Sequence, residues 1–420
     1  MIAEVVALLI AAAIGVALAR LVDRTASGAL LAGEGILLGI GAMAAILFVF
    51  AIAGVAWTRI GVAVAVIAIG MVAPLTRRFA PPSPRGAGRG VFSPFDVVTL
   101  VLLAGYARLA TIAPVWEVDY IADFGLKARN FWEVRGIDWG FLEAAFGRNA
   151  HPDYPPLLPL SFDFLALARG AWNDAAHGLL NVAFAVALLL VVRRLALEET
   201  ESAHAAAFLA AAFVPLAASP WIGIGEAPLV AFGTTALLLI RRGSVVPGAV
   251  MLGLAASAKN EGLTLIVAAA AGLAVAKRWR DVVRLWPAVV IPLPWLVLRQ
   301  IHHLRNDITE GNVVARIVEH LRHPKPLLNA VVAYNAGRPL FWLALAVGIV
   351  VVIRPLIKGE RFVLVALAVQ LLFYLAAYLA TPHDVLWHVR WSWERLISHL
   401  SPALTYVVLV RLLTTRAEMY

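Results

Sequence analysis

The sequence predicts an all-α, polytopic transmembrane helical bundle. Three observations carry that prediction: 62% of the 420 residues are hydrophobic, only 15% are charged, and the apolar residues fall in long runs between short polar ones. An average soluble domain holds roughly 25% charged residues, so water is not the main solvent of this chain. A bilayer core about 30 Å thick needs roughly 20 mostly apolar residues per helical crossing. Runs of this kind fall near residues 3–19, 29–54, 60–75, 95–114, 175–192, 203–218, 227–240, 245–258, 262–276, 284–299, 338–353, 362–380 and 399–413, which makes about thirteen spans.

The first run lacks a basic leader and a small-residue cleavage site, which favours a retained span over a removed signal peptide. Orientation follows from the cations of the short loops. Arg20 and Arg24, the arginines of 76–90, Arg193 and Arg194, Arg241 and Arg242, Lys277 to Arg284, and Arg354, Lys358 and Arg361 all fall on one side. Cytoplasmic loops keep such cations, so the N-terminus is expected outside and the C-terminus inside. For this parity to hold, the apolar stretch 157–169, which carries Asp163 and is too short to cross, must lie along the membrane surface or re-enter it. The stretch TRRFAPPSPRGAGRG, residues 76–90, reads as a flexible basic linker. Two domains are expected: an N-terminal three-span bundle with this linker, 1–90, and a larger transmembrane domain, 91–420. The external segments of the latter are 115–174, 300–337 and 381–398, and amphipathic helices are expected in the first of them.

Several classes of chemistry are excluded. The chain has no cysteine, which removes disulfides and thiolate metal sites. The net charge of +9 is explained by cytoplasmic loops, and no basic run is interleaved with aromatic residues, so nucleic acid is not an expected partner. No GxxxxGK[ST], GxGxxG, GxSxG or HExxH motif occurs, which argues against nucleotide hydrolysis, dinucleotide chemistry, an α/β-hydrolase and a histidine zinc site.

Ionisable residues instead gather in the external segments, where function in a membrane protein concentrates. WEVDYIADFGLKARNFWE, residues 116–133, holds Asp119, Asp123 and Lys127 at i, i+4 and i+8, one face of a helix. An interfacial helix with aromatic rings at headgroup level explains the same pattern. HPDYPPLLPL, residues 151–160, places His151, Asp153 and Tyr154 on a backbone stiffened by prolines; a rigid connector is the simpler alternative. Glu226 lies in WIGIGEAPLV, and SAKNEGL brings Lys259 and Glu261 to two consecutive span ends, unless they form only a polar turn. The last external segment sets Arg390, Arg395 and His388 among Trp387, Trp391 and Trp393. An aromatic belt explains the tryptophans but not the arginines, whose planar fork matches a pair of phosphate oxygens. Arg395 is the phosphate ligand of choice. No metal is required, although Asp119, Asp123 and Asp153 are oxygen donors of the kind that suits Mg or Mn.

These segments together resemble the GT-C superfamily of multi-spanning glycosyltransferases, near the protein O-mannosyltransferase and lipid A aminoarabinose transferase branch, over roughly residues 95–413. In bacterial members a Trp-Asp pair begins the first external loop, with a Lys-Ala-Arg or Lys-Ala-Lys triplet whose lysine stands eight positions after the acid; Asp119 and Lys127 keep that spacing. Here Glu117 and Val118 separate Trp116 from Asp119, so Glu117 and Asp123 are the alternatives for the acidic role, while Asp119 keeps the better spacing. HPDYPPL, GIGEAPL, KNEGL and SWERL look like the family's later motifs in the same order, with Glu226 where Asp is usual.

The resemblance implies an inverting hexosyl- or pentosyltransferase in cell-envelope glycan biosynthesis. It would move a sugar from a polyprenyl-phosphate donor to a hydroxyl of a glycan, lipid or protein acceptor. Its site would face the periplasm or cell exterior from a bacterial cytoplasmic membrane. Asp119 would take the acceptor's proton, with Asp153 as the alternative carboxylate, and Lys127, Lys259, Arg395 and Arg390 would hold the carrier phosphate. A secondary transporter and a non-catalytic lipid-binding scaffold are the competing classes. The chain shows no repeated half of the kind transporters use.

Overall fold

The computed structural model describes residues 1–75, 92–144, 147, 150–306, 308, 310–336 and 339–417. The linker expected at 76–90 lies outside them. No strand occurs among the described residues. The helices are α1 (Ile2–Val22), α2 (Gly28–Ile52), α3 (Arg59–Leu75) and α4 (Pro94–Thr111), then a π-helical turn (Tyr120–Phe124), α5 (Gly125–Val134), α6 (Trp139–Glu143) and α7 (Leu157–Arg169). There follow α8 (Asp174–Thr200), α9 (Ala203–Ala217), α10 (Glu226–Arg242), α11 (Val245–Ala258), α12 (Glu261–Val275), α13 (Trp279–Val283), α14 (Trp286–Val290) and α15 (Leu293–Ile301). The chain ends with α16 (Val313–Arg322), α17 (Lys325–Ala336), α18 (Pro339–Gly359), α19 (Arg361–Ala380) and α20 (Val385–Ala417).

Every apolar run of the sequence is helical, and the protein is a membrane-embedded helical bundle. Among the described residues, α1, α2, α4, α8, α18, α19 and α20 are long and apolar enough to cross a bilayer. The segment predicted at 284–299 is broken, with α13–α14 and α15 meeting at 50°. Pro287, Pro292 and Pro294 remove backbone donors there and clash with the preceding turn. By length alone, α9, α11 and α12 are shorter than a full crossing.

One departure from the sequence-based expectation bears on the site. The stretch 385–398, expected as an external loop, is the first part of the long helix α20. It contains neither proline nor glycine, Asp384 Oδ1 accepts from the Trp387 amide at 2.8 Å as a cap, and Val385, Val389, Trp393 and Leu396 bury one helical face. The stretch 157–169, expected to lie along the membrane surface or to re-enter it, forms the helix α7. Leu157 to Leu167 are all buried, because α1, α2, α5 and α8 enclose the helix.

The N-terminal helices pack directly onto the rest. In α1 and α2 the backbones nearly touch: a Cβ on Gly15 would lie 1.8 Å from the Gly35 carbonyl oxygen, and one on Gly39 2.1 Å from that of Ala11. Gly33 meets the Ala187 carbonyl of α8, and Gly41 meets Leu254 of α11. Small residues allow such approach where lipid offers no hydrophobic drive for association.

The bundle has two chemically different ends. At one, Arg241 joins Glu199 at 2.7 Å and Glu360 at 2.6 Å, Arg411 reaches Glu360 at 2.7 Å, and Arg193 pairs with Asp96 at 2.7 Å. Arg278 donates to the Ile240 carbonyl at the same end. The start of α10, the α11–α12 turn and the first turns of α20 lie at the other.

Candidate active site

That second end gathers most of the singled-out side chains. The chain between α4 and α5 turns through a π-helix, a rare form in which one extra residue per turn re-aims side chains and which recurs at functional sites. Its outer face exposes Trp116, Val118 and Ile121, and its inner face buries Tyr120, Asp123, Phe124 and Lys127. The segment therefore turns apolar side chains outward and the Asp123–Lys127 pair inward.

Tyr120 fixes the turn in place. Its hydroxyl donates to Asp174 Oδ1 at 2.6 Å and lies 2.6 Å from His177 Nδ1, and the Trp172 indole donates to the same carboxylate oxygen at 2.8 Å. Gly125 and Gly223, the latter with φ of +79°, pack so closely that a Cβ on either would meet the Tyr120 ring within 2.8 Å. With its neighbour so held, Asp119 reaches Arg395 of α20, Oδ2 to Nη1 at 2.6 Å.

Arg395 begins a chain of charges. Its Nε donates to Glu226 Oε1 at 2.6 Å, the same oxygen accepts from Lys259 Nζ at 2.7 Å, and Lys259 also reaches Glu261 at 2.9 Å. Glu226 is the first residue of α10, Lys259 follows α11 and Glu261 opens α12; helix N-termini favour both carboxylates. Exposure changes along the chain: Glu226 is fully enclosed and Lys259 nearly so, whereas the Asp119 side chain is 37% exposed.

A second group lies beside the first. Lys127 pairs with Asp123 at 2.6 Å and donates to the His151 carbonyl at 3.1 Å. Its ammonium stands 5.4 Å from the Phe124 ring centre and 5.6 Å from that of Tyr154, within cation–π range. His151 stacks on Tyr154 at 4.8 Å. Asp153 is buried and accepts from the Asn260 and Asn306 amides at 2.5 and 2.6 Å, while its carbonyl accepts from the Trp295 indole at 3.1 Å. Burial pushes the Asp123 carboxyl up to about 6 against the pull of Lys127 and His151. Burial also raises the carboxyl of Asp153, against the two amides. The groups adjoin at Gly225, where an added Cβ would lie 3.0 Å from both Lys259 and Phe124.

Thus Asp119, Glu226, Lys259, Glu261 and Arg395 form one network, and Asp123, Lys127, His151, Asp153 and Tyr154 form its neighbour. Arg390 is not in either; it is exposed on α20, five residues from Arg395 and so on a different helical face. His388 bonds Thr381 at 2.8 Å and packs edge-on against Tyr378. The three aspartates suited to Mg or Mn do not converge: Asp119 binds Arg395, Asp123 binds Lys127 and Asp153 binds two amides. Among the described residues no group of three His, Asp or Glu is arranged around a metal position.

Sequence reasoning passed over Tyr120, Asp174, His177, Trp295 and Asn306. His177 carried a usable signal, being an ionisable residue in the first turn of an apolar run. Asp163 of α7 and Glu34 of α2 are likewise buried inside the bundle. Near the second group an apolar cavity of about 90 Å³ opens between α2, α7, α11 and the α14–α15 bend, lined by Phe48, Leu160, Leu254, Ile291 and Trp295. Compared with known proteins, the chain matches no family model, no curated protein and no solved structure.

Proposed function

We propose that this protein is an inverting glycosyltransferase of GT-C type, moving a sugar from a polyprenyl-phosphate donor to an acceptor hydroxyl at the outer face of a bacterial cytoplasmic membrane. The observation that carries it is the Asp119–Arg395 pair at 2.6 Å, the more exposed end of an ion chain whose Glu226 and Lys259 are buried at one end of a membrane-embedded bundle. This reading includes about thirteen crossings, with α9 to α12 completing the bundle, and an outer position for the site. The cationic α10–α11 and α12–α13 connections at the opposite end support the orientation.

The chemistry needs a base and an anion holder within reach of one sugar. As the acceptor oxygen bonds to the anomeric carbon, the carbon–oxygen bond to phosphate breaks and its electron pair leaves on the lipid phosphate. Asp119 accepts the acceptor's proton, a contribution of about 10² to 10⁴-fold. Arg395 stabilises the departing phosphate, backed by Lys259, in surroundings of low dielectric. The apolar cavity beside Trp295 supports the lipid part of the donor. A single displacement inverts the anomeric carbon.

The test incubates wild type and Asp119→Asn with a radiolabelled polyprenyl-phosphate sugar and membrane extract. Transfer by wild type and loss of at least about 10²-fold in the variant is expected; equal transfer by both removes Asp119 as the base.

A further inference from the structure

A second cavity, of about 230 Å³, lies at the same end of the bundle between α16, the start of α17, the end of α19 and the start of α20. Its polar lining is Glu319, His320, His323, Tyr378, His383 and Asp384. None of these belongs to the ion network described above. We infer that this cavity binds a neutral polyhydroxylated ligand, the terminal sugar of a glycan acceptor, and that Tyr378 joins it to the reaction site.

The chemistry of the walls selects the ligand class. Two carboxylates and no lysine or arginine line the space, so phosphate, nucleotide and carboxylate ligands are repelled. The polar groups also make it costly to fill with a purely apolar ligand. What remains matched is a ring carrying several hydroxyls, which donate to carboxylates and exchange hydrogen bonds with imidazoles. Three of the lining groups are already oriented. His320 Nδ1 donates to the Leu379 carbonyl at 2.8 Å, so that nitrogen carries a proton. Asp384 is fixed by capping α20, and His383 lies against Trp387 with ring centres 5.2 Å apart.

The cavity also stands at headgroup depth and beside the reaction centre. The opposite face of α16 exposes Val314, Val318 and Leu321, spaced i, i+4 and i+7, the pattern of a helix lying in the interface. Tyr378 lines the cavity and bonds Ser392 Oγ at 2.9 Å. Ser392 lies one turn before Arg395 on α20, on the same side of the helix. The acceptor role rests on the proposed transferase reading; the sugar-binding property does not.

Both parts are tested on the full chain in nanodiscs by isothermal titration with neutral trisaccharides of glucose, mannose, galactose and N-acetylglucosamine, and with choline and inorganic phosphate. At least one trisaccharide is expected to bind. Glu319→Gln with Asp384→Asn, in which asparagine keeps the cap, should weaken it at least about tenfold by removing two charged acceptors; Glu133→Gln, on the exposed surface of α5, should leave it unchanged. In a transfer assay the double variant should raise the acceptor KM by a similar factor while the donor KM and kcat stay constant. Binding of choline or phosphate in place of every trisaccharide, or equal weakening by Glu133→Gln, overturns the inference. If no lipid-linked sugar is transferred but a trisaccharide still binds through Glu319 and Asp384, the transferase reading falls and the sugar site stands.

Discussion

Glu226 is the residue on which the site's integrity should depend most. A single carboxylate oxygen receives both Arg395 Nε at 2.6 Å and Lys259 Nζ at 2.7 Å, on a side chain with no exposed surface. At an effective dielectric of 20, each contact has a Coulomb energy of about 6 kcal/mol, much of it offset by the cost of taking both partners out of water. Removing one member of a buried pair typically costs about 3 to 5 kcal/mol, because the remaining charge stays buried without its partner. Here each cation keeps another carboxylate, Asp119 for Arg395 and Glu261 for Lys259. The cost of Glu226→Gln should therefore sit at the lower end, about 3 kcal/mol.

Reversible unfolding in mixed micelles measures it, and a cycle with Lys259→Met isolates the pair. Contacting charges should couple by about 1 to 3 kcal/mol. Additivity of the two substitutions within about 0.5 kcal/mol, or a Glu226→Gln protein as stable as wild type, would refute the ion chain as a structural unit. Asp119→Asn gives the contrast. At 37% exposure its pair with Arg395 should contribute no more than about 1 kcal/mol to stability, so lost transfer in that variant reports chemistry rather than unfolding.

Three further outcomes follow from local geometry. Asp123 titrates at about 6 in the fold against 3.8 for an ordinary aspartate; the native state thus holds more protons between these values, and stability falls as pH rises through them, by up to about 3 kcal/mol. The pH slope of the unfolding free energy should be shallower in Asp123→Asn, and identical slopes count against the buried carboxyl. Tyr120→Phe leaves Asp174 and His177 without a shared partner and should lower stability by about 1 to 3 kcal/mol, with transfer falling more than melting temperature explains because the π-turn carries Asp119. Gly15→Ala drives a methyl group into the Gly35 carbonyl, at a cost of about 1 to 3 kcal/mol; unchanged thermal melting would mean that α1 and α2 are not so closely packed.

What the sequence made legible was mostly local. Apolar runs mark each helix, since a crossing must satisfy its own backbone, and the concentration of Asp119, Asp123, Lys127, Lys259 and Arg395 in the polar segments pointed to one end of the bundle. The Lys259–Glu261 segment shows the boundary of that approach. As a string it is an ordinary polar turn, and its meaning depends on Glu226, 33 positions earlier, and Arg395, 169 positions after Glu226. Periodicity carries no information about such pairings. The same holds for Tyr120 with Asp174, and for Asn306, which reaches Asp153 across 153 positions. The extent of α20 was missed for a different reason: tryptophan and arginine at 387–395 signal a membrane interface by composition, while the absence of any helix breaker there signals continuity.

The balance of charge in the network determines how a phosphate can enter. At the opposite end, Arg241 and Arg411 face Glu199 and Glu360, two cations against two carboxylates, and the cluster is closed. The site instead holds Asp119, Glu226 and Glu261 against Arg395 and Lys259. An added phosphate would meet an excess of negative charge unless it replaces one carboxylate. Asp119 is the exchangeable one, because Glu226 is enclosed between two cations whereas Asp119 is the most exposed member. A donor phosphate taking its place on Arg395 Nη1 leaves the charge around the guanidinium unchanged and frees the Asp119 carboxylate to accept a proton. Under the transferase proposal, Asp119→Asn should then act in two directions: kcat falls by about 10² to 10⁴-fold, and the donor dissociation constant also falls, because a competitor for the guanidinium is gone. Donor binding measured directly separates these effects from the kinetic constants. A variant that binds donor more weakly than wild type would show that Asp119 holds the site together rather than guarding it.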